Sequence, residues 1–257
     1  MIWQNIADIL NLEALEKGKL KCYINRVGLR LSMKKKKWIF VSAFFAITVF
    51  ACAVNSFLLN VSCGDLDNDD KKEFVMILKR PGDEFGKSLV IVSLQKGSGK
   101  RIQMYDMNNL NPWTIHIADV DGDGMKELSV GVYKKTRLDP VMAKRPFLYN
   151  WNGKTIYPKW LGSRLSRPFD DYCFCDLNDD SVDELISIEL AGNGSKLINV
   201  YRWKGFGVEG IAESHTFEDI SHIRVTRAER IKAKVKTDDK WRWIGISLKH
   251  DKIEIEW

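Results

Sequence analysis

Histidine is scarce, with four residues in a chain of 257. That leaves little room for a histidine-based metal or catalytic centre. Five cysteines are too few for a disulfide-dense miniprotein. No Gly-Lys-Ser/Thr phosphate loop, no G-x-S-x-G elbow and no H-E-x-x-H pair occurs. Net charge is missing from the body of the chain. Residues 1–55 hold nine Lys/Arg against three Asp/Glu, which is the whole formal excess of +6; residues 56–257 hold 31 of each. A nucleic-acid-binding domain would carry its positive charge on the folded part, so no nucleic-acid partner is expected. The 45% hydrophobic and 29% charged content excludes a disordered chain and allows a sizeable core.

The longest uncharged run is the first positive feature. Lys34-Lys35-Lys36-Lys37 precedes a stretch with no charged residue before Asp65. Residues 38–59, as a helix rising about 1.5 Å per residue, would span roughly the hydrocarbon core of a bilayer. The lysines place residues 1–37 in the cytoplasm and everything beyond 59 outside a bacterial cell. The segment reads as a retained signal anchor. Cleavage after Ala53, in Ala51-Cys52-Ala53, and lipidation at Cys52 are the alternatives. Residues 1–32 precede an ordinary export start at Met33, and no function attaches to them.

Beyond the membrane segment the sequence repeats. Asp65-Leu-Asp67-Asn-Asp69-Asp70-Lys71-Lys-Glu73 recurs as Asp119-Val-Asp121-Gly-Asp123-Gly124-Met125-Lys-Glu127. It recurs again as Asp176-Leu-Asn178-Asp-Asp180-Ser181-Val182-Asp-Glu184. An alternating run precedes each copy and an apolar strand follows it, as in Phe74-Val-Met-Ile-Leu78 and Leu185-Ile-Ser-Ile188. Hairpins come next, one with an Asn152-Gly153 turn. The tail, residues 220–257, holds four more alternating strands without the acidic loop. Residues 57–257 are therefore expected to be all-β, with about four four-stranded units. Units of this size are the blades of a small β-propeller, whose closure removes sheet edges.

The acidic loops read as Ca²⁺ sites. Positions 1, 3 and 5 aim carboxylate or amide oxygens at one point. The position-7 carbonyl and the position-9 carboxylate complete the cage. The predicted ligand sets are Asp65, Asp67, Asp69, Lys71 and Glu73; Asp119, Asp121, Asp123, Met125 and Glu127; and Asp176, Asn178, Asp180, Val182 and Glu184. Lys71, Met125 and Val182 contribute main-chain oxygen. All-oxygen sets suit Ca²⁺ better than zinc or copper. Plain acidic turns are the alternative reading. The second loop, with both glycines, is expected to bind best.

This loop pattern resembles the FG-GAP/VCBS repeats, calcium-loop β-propeller units of integrin α-chain heads and exported bacterial proteins. The resemblance covers about residues 57–215. It implies extracytoplasmic adhesion or ligand binding, with calcium in a structural role. The expected function is a non-catalytic, membrane-tethered module with an unidentified protein or glycan ligand. An exported polysaccharide lyase or hydrolase is the rival; His116, Tyr172 and Arg224 flank the inner strands and would be its candidates. The tryptophans, among them Trp113, Trp151, Trp160, Trp203, Trp241, Trp243 and Trp257, are expected to pack between units. Cys173 and Cys175 share a strand face and bridge each other poorly, and a bridge to Cys63 would have to cross the ring.

Overall fold

The computed structural model describes residues 56–94, 99–162, 164–226 and 230–257. The predicted cytoplasmic segment and all but the end of the predicted membrane segment lie outside these residues. Leu58 and Leu59, which the apolar run assigned to the membrane helix, instead open the first strand. Among the described residues no helix is long and apolar enough to cross a membrane.

The described chain is sixteen strands in four antiparallel sheets, each a simple meander. The first sheet holds β1 (Leu58–Gly64), β2 (Glu73–Leu78), β3 (Ser88–Leu94) and β4 (Lys100–Asp106). The second holds β5 (Pro112–Ala118), β6 (Glu127–Lys134), β7 (Ala143–Trp151) and β8 (Ile156–Leu161). The third holds β9 (Phe169–Cys175), β10 (Glu184–Leu190), β11 (Lys196–Trp203) and β12 (Val208–Glu213). The fourth holds β13 (Asp219–Val225), β14 (Ile231–Thr237), β15 (Lys240–Lys249) and β16 (Lys252–Glu256). In the first three sheets the acidic loop joins the first strand to the second, as the repeat predicts.

Three apolar layers glue the sheets together in sequence order. Val75, Ile77, Leu89 and Ile91 of the first sheet meet Leu128, Val130, Val132 and Phe147 of the second. Leu148 of the second meets Phe169, Tyr172 and Phe174 of the third. Ile186, Ile188, Ile198 and Val200 of the third meet Ile231, Ala233, Ile244 and Ile246 of the fourth. Among the described residues no such layer joins the fourth sheet to the first.

Strand burial reports the same order. The first six residues of β6 and of β10 are all buried, because their sheets are covered on both faces. Strands β2 and β14 alternate, one residue buried and the next partly or fully exposed, because their sheets are covered on one face. The two end faces are chemically unlike. On the first sheet the register aligns Val61, Met76, Val90 and Met104 in one row and Cys63, Phe74, Val92 and Ile102 in the next. Met104 and Ile102 are each 66% exposed. On the fourth sheet the outward residues of β14 are Lys232, Lys234 and Lys236. An apolar face and a lysine face give no basis for mutual burial, which accounts for the missing fourth layer.

Candidate metal centre

The three loops share one backbone, built by the position-1 aspartate. Asp65 accepts the N–H groups of Asp69 and Asp70 on its two oxygens at 3.2 and 2.9 Å. Asp119 accepts from Gly122 and Gly124 at 2.8 and 2.9 Å. Asp176 accepts from Asn178, Asp180 and Ser181 at 3.2, 3.2 and 2.7 Å. These bonds pull positions 4 and 6 into the left-handed region. Asn68 and Asp70 have φ of 58° and 63°, Gly122 and Gly124 of 72° and 83°, and Asp179 and Ser181 of 62° and 67°. Glycine adopts that region without strain, while Asn, Asp and Ser tolerate it at some cost.

Position 9 closes the loop from the other side. The Oε2 atoms of Glu73, Glu127 and Glu184 accept the N–H of Leu66, Val120 and Leu177 at 2.9, 3.0 and 3.0 Å. Position 5 turns outward to the backbone. Asp69, Asp123 and Asp180 accept the N–H of Lys71, Met125 and Val182 at 3.0, 2.7 and 2.9 Å. The carboxylates brought within 4.8 Å of one another are Asp65, Asp67 and Glu73 in the first loop, and Asp119, Asp121 and Glu127 in the second. Neither group contains the position-5 aspartate.

What separates the loops is the charge that answers these carboxylates. In the second loop the Lys159 ammonium lies 2.7 Å from Glu127 Oε1 and also contacts Asp121 Oδ2. Lys159 gets there because the β7–β8 pairing shifts register after Leu148, leaving it in the bulge. In the third loop Arg202, on β11, places Nη2 at 3.0 Å and Nε at 3.3 Å from Glu184 Oε1. There Asn178 spends its amide on Asp180 Oδ2 at 2.9 Å.

Among the described residues no lysine or arginine is within ion-pairing distance of Glu73 or Asp67 in the first loop. Register places Ser93 where the third sheet has Arg202, and β3 pairs with β4 without a bulge. Lys71 pairs with Asp69 at 2.9 Å, outside the carboxylate group. Asp67 Oδ1 is buried and, among the described residues, has no hydrogen-bond partner. The β7–β8 turn stands beside this loop, since a Cβ on Gly153 would lie 3.2 Å from Asp67 Oδ2.

Electrostatics follow these contacts. Burial, with the charges of Asp67, Asp65 and Asp69, pushes Glu73 up to about 7 against the pull of the Leu66 N–H. Asp67 is raised by burial and then by Asp69 and Asp65. Glu127 and Glu184 are raised by burial too, but Lys159 and Arg202 oppose it. In the first loop the nearest answer is Lys71, which is ion-paired to Asp69 and acts on Asp67 and Glu73 only through space. The carboxylates of Asp65, Asp67 and Glu73 are placed close enough together to hold a metal ion.

Compared with known proteins, the chain matches no family model and no curated protein.

Of the residues proposed for an enzyme, the structure brings His116 and Tyr172 together and leaves Arg224 apart from them. His116 packs against Tyr172 with ring centroids 4.7 Å apart, and the Tyr172 hydroxyl is bonded to Ser129 Oγ at 2.9 Å. Burial alone holds His116 down near 4. Arg224 lies on the outward face of the fourth sheet, over Trp243. Of the tryptophans, Trp113, Trp160 and Trp203 pack against the layer between the second and third sheets, and Trp151 is buried between the first and second. Trp241, Trp243 and Trp257 depart from the expected packing and are exposed. Cys173 and Cys175 are buried between the third and fourth sheets, and Cys63 is in the first.

Lys159, Arg202 and Asp183 are site residues that the repeat did not reveal. Asp183 Oδ2 accepts the Asp119 N–H at 2.9 Å and its own N–H returns to the Asp119 carbonyl at 2.8 Å, tying the third loop to the second. Asp183, like Asp179, is a carboxylate that the loop pattern leaves unassigned.

Proposed function

We propose that residues 57–257 form a small β-propeller-like module of the FG-GAP/VCBS type. The module stands outside the cell, tethered through residues 38–59, and binds a macromolecular ligand without transforming it. Ca²⁺ has a structural part, held by Asp65, Asp67 and Glu73 of the first loop. The observation that carries this reading is the buried Asp67 Oδ1, which has no hydrogen-bond partner among the described residues, in a loop whose two sister loops carry a side-chain cation. Repetition supports the binding role: the same strands and acidic loop recur in three of the four sheets.

Thermal melting of the full chain in chelator and in Ca²⁺ tests the reading. Extracellular sites of this kind have dissociation constants of about 0.1–1 mM. One such site at about 1 mM Ca²⁺ adds roughly 0.4–1.4 kcal/mol by mass action. The expected result is a rise of a few degrees with Ca²⁺ and little with Mg²⁺, which demands tight octahedral geometry. Equal melting in chelator and Ca²⁺ would overturn the calcium role.

A further inference from the structure

The outward face of the fourth sheet carries like charges where a sheet has reason to avoid them. Register sets Arg224 directly opposite Lys232. Lys234 follows two residues on, on the same face, opposite His222 and Trp243. Like charges directly opposite each other destabilise a strand pair. Yet among the described residues neither Arg224, Lys232 nor Lys234 has a carboxylate within ion-pairing distance, while Lys236 beside them has two, Asp239 at 2.7 Å and Glu218 at 3.4 Å. On the same outward face β16 carries Glu254, near Lys249 at 3.9 Å, and Glu256, whose carboxylate lies against Gly245, the residue opposite Lys232.

Two of the three cations lie over tryptophan. The Arg224 guanidinium is 4.2 Å from the ring centre of Trp243, and the Lys234 ammonium is 5.7 Å from that of Trp241. His222 meets Trp243 edge-on at 5.0 Å. A ring under a cation restrains a long side chain before any ligand arrives, which lowers the entropy cost of binding.

We infer that this face is a docking surface for an acidic polysaccharide, a chain with a carboxylate on its sugar units that lies across Arg224, Lys232 and Lys234. The occupant follows from the chemistry. Unpaired cations call for anions. Neutral sugars offer these cations no charge, and a body with 31 Lys/Arg against 31 Asp/Glu lacks the net positive charge of a nucleic-acid binder. A bilayer takes in rings that stand clear of the surface, whereas Trp241 and Trp243 are only 42% and 39% exposed. The inference names the ligand of the module proposed above and rests on that reading for its compartment. It does not depend on calcium, so the two fail separately.

The test is binding of the full chain, in neutral detergent, to polygalacturonate. Dextran, poly-glutamate, oligo-dT and phosphatidylglycerol vesicles are the comparison probes. Polygalacturonate should bind tightest. Its affinity should fall roughly tenfold between 50 and 200 mM salt, as counterion release by a few cations requires. The Lys232→Glu, Lys234→Glu double variant should lose at least tenfold. Its calcium response should be unchanged and its melting temperature no lower, since neither residue touches the core or the loops and Lys232→Glu removes a like-charge pair. Arg224→Lys, which keeps the charge, should lose less than Arg224→Gln. Binding of dextran, poly-glutamate, oligo-dT or vesicles as tightly as polygalacturonate overturns the inference. So does a charge-reversed variant that binds like the parent.

Discussion

Asp67 and Lys159 show how one side chain decides what a loop is for. Both loops bring three carboxylates together, and among the described residues only those of the second loop are ion-paired, by Lys159. Asp67→Asn should therefore act in opposite directions. Without calcium it removes a buried negative charge from beside Asp65 and Glu73, and the metal-free protein should melt slightly higher. With calcium the increment should vanish. Melting curves in chelator and in calcium read both signs; a variant that melts lower in chelator while keeping the calcium increment would contradict the role given to Asp67.

His116 gives a separate residue-scale prediction, this time in pH. Packed against the rings of Tyr172 and Phe174, with Thr114 Oγ1 3.3 Å from its Nε2, it stays neutral in the fold down to about 4. The unfolded chain protonates its histidines near 6.5. Between these values the unfolded state binds the extra proton, so stability falls as pH falls from about 6.5 to about 4. The loss is at most about 3 kcal/mol. His116→Phe should flatten that part of the pH–stability curve, and an unchanged slope would remove His116 as its cause.

At the scale of the element, the acidic loops and the strands around them were legible in the sequence for a simple reason. Their causes are local: alternation along a strand, and Asp, Asn or Gly at fixed turn positions. The cations were not legible. Lys159 lies 32 residues beyond Glu127, and Arg202 lies 18 beyond Glu184. Each reaches its loop through register, and a bulge in β7–β8 has no pattern of its own in sequence. The two glycines of the second loop, which mark it as the best-formed turn, therefore say nothing of its charge. The left-handed positions allow a direct test of loop energetics. Asp70 has a φ of 63°, gives only its N–H to Asp65, and is replaced by glycine in the second loop. Asp70→Gly should stabilise the protein by up to about 1 kcal/mol, relieving strain and one negative charge. A destabilised variant would mean that Asp70 does more than turn the chain.

At the scale of the whole molecule, the four sheets were foreseeable and the bare ends were not. Counting strands says nothing about which faces meet. In hindsight Ile231-Lys-Ala-Lys-Val-Lys, alternating apolar and lysine, already describes a sheet covered on one side only. The fourth sheet is still indispensable, because it covers Cys173, Ile186, Ile188, Ile198 and Val200 of the third. Removing residues 219–257 should expose that layer and yield a protein that binds hydrophobic dyes or aggregates. A soluble truncated chain with unchanged melting would refute the stacked order.

The central claim is that one loop takes a metal while the other two have built their cation into the chain. Calorimetric titration of the full chain with Ca²⁺ tests it most directly. The account predicts one site, lost in Asp67→Asn and joined by a second in Lys159→Met, where Asp119, Asp121 and Glu127 no longer face an ammonium. Three sites in the parent chain, or a single site that survives Asp67→Asn, would contradict it.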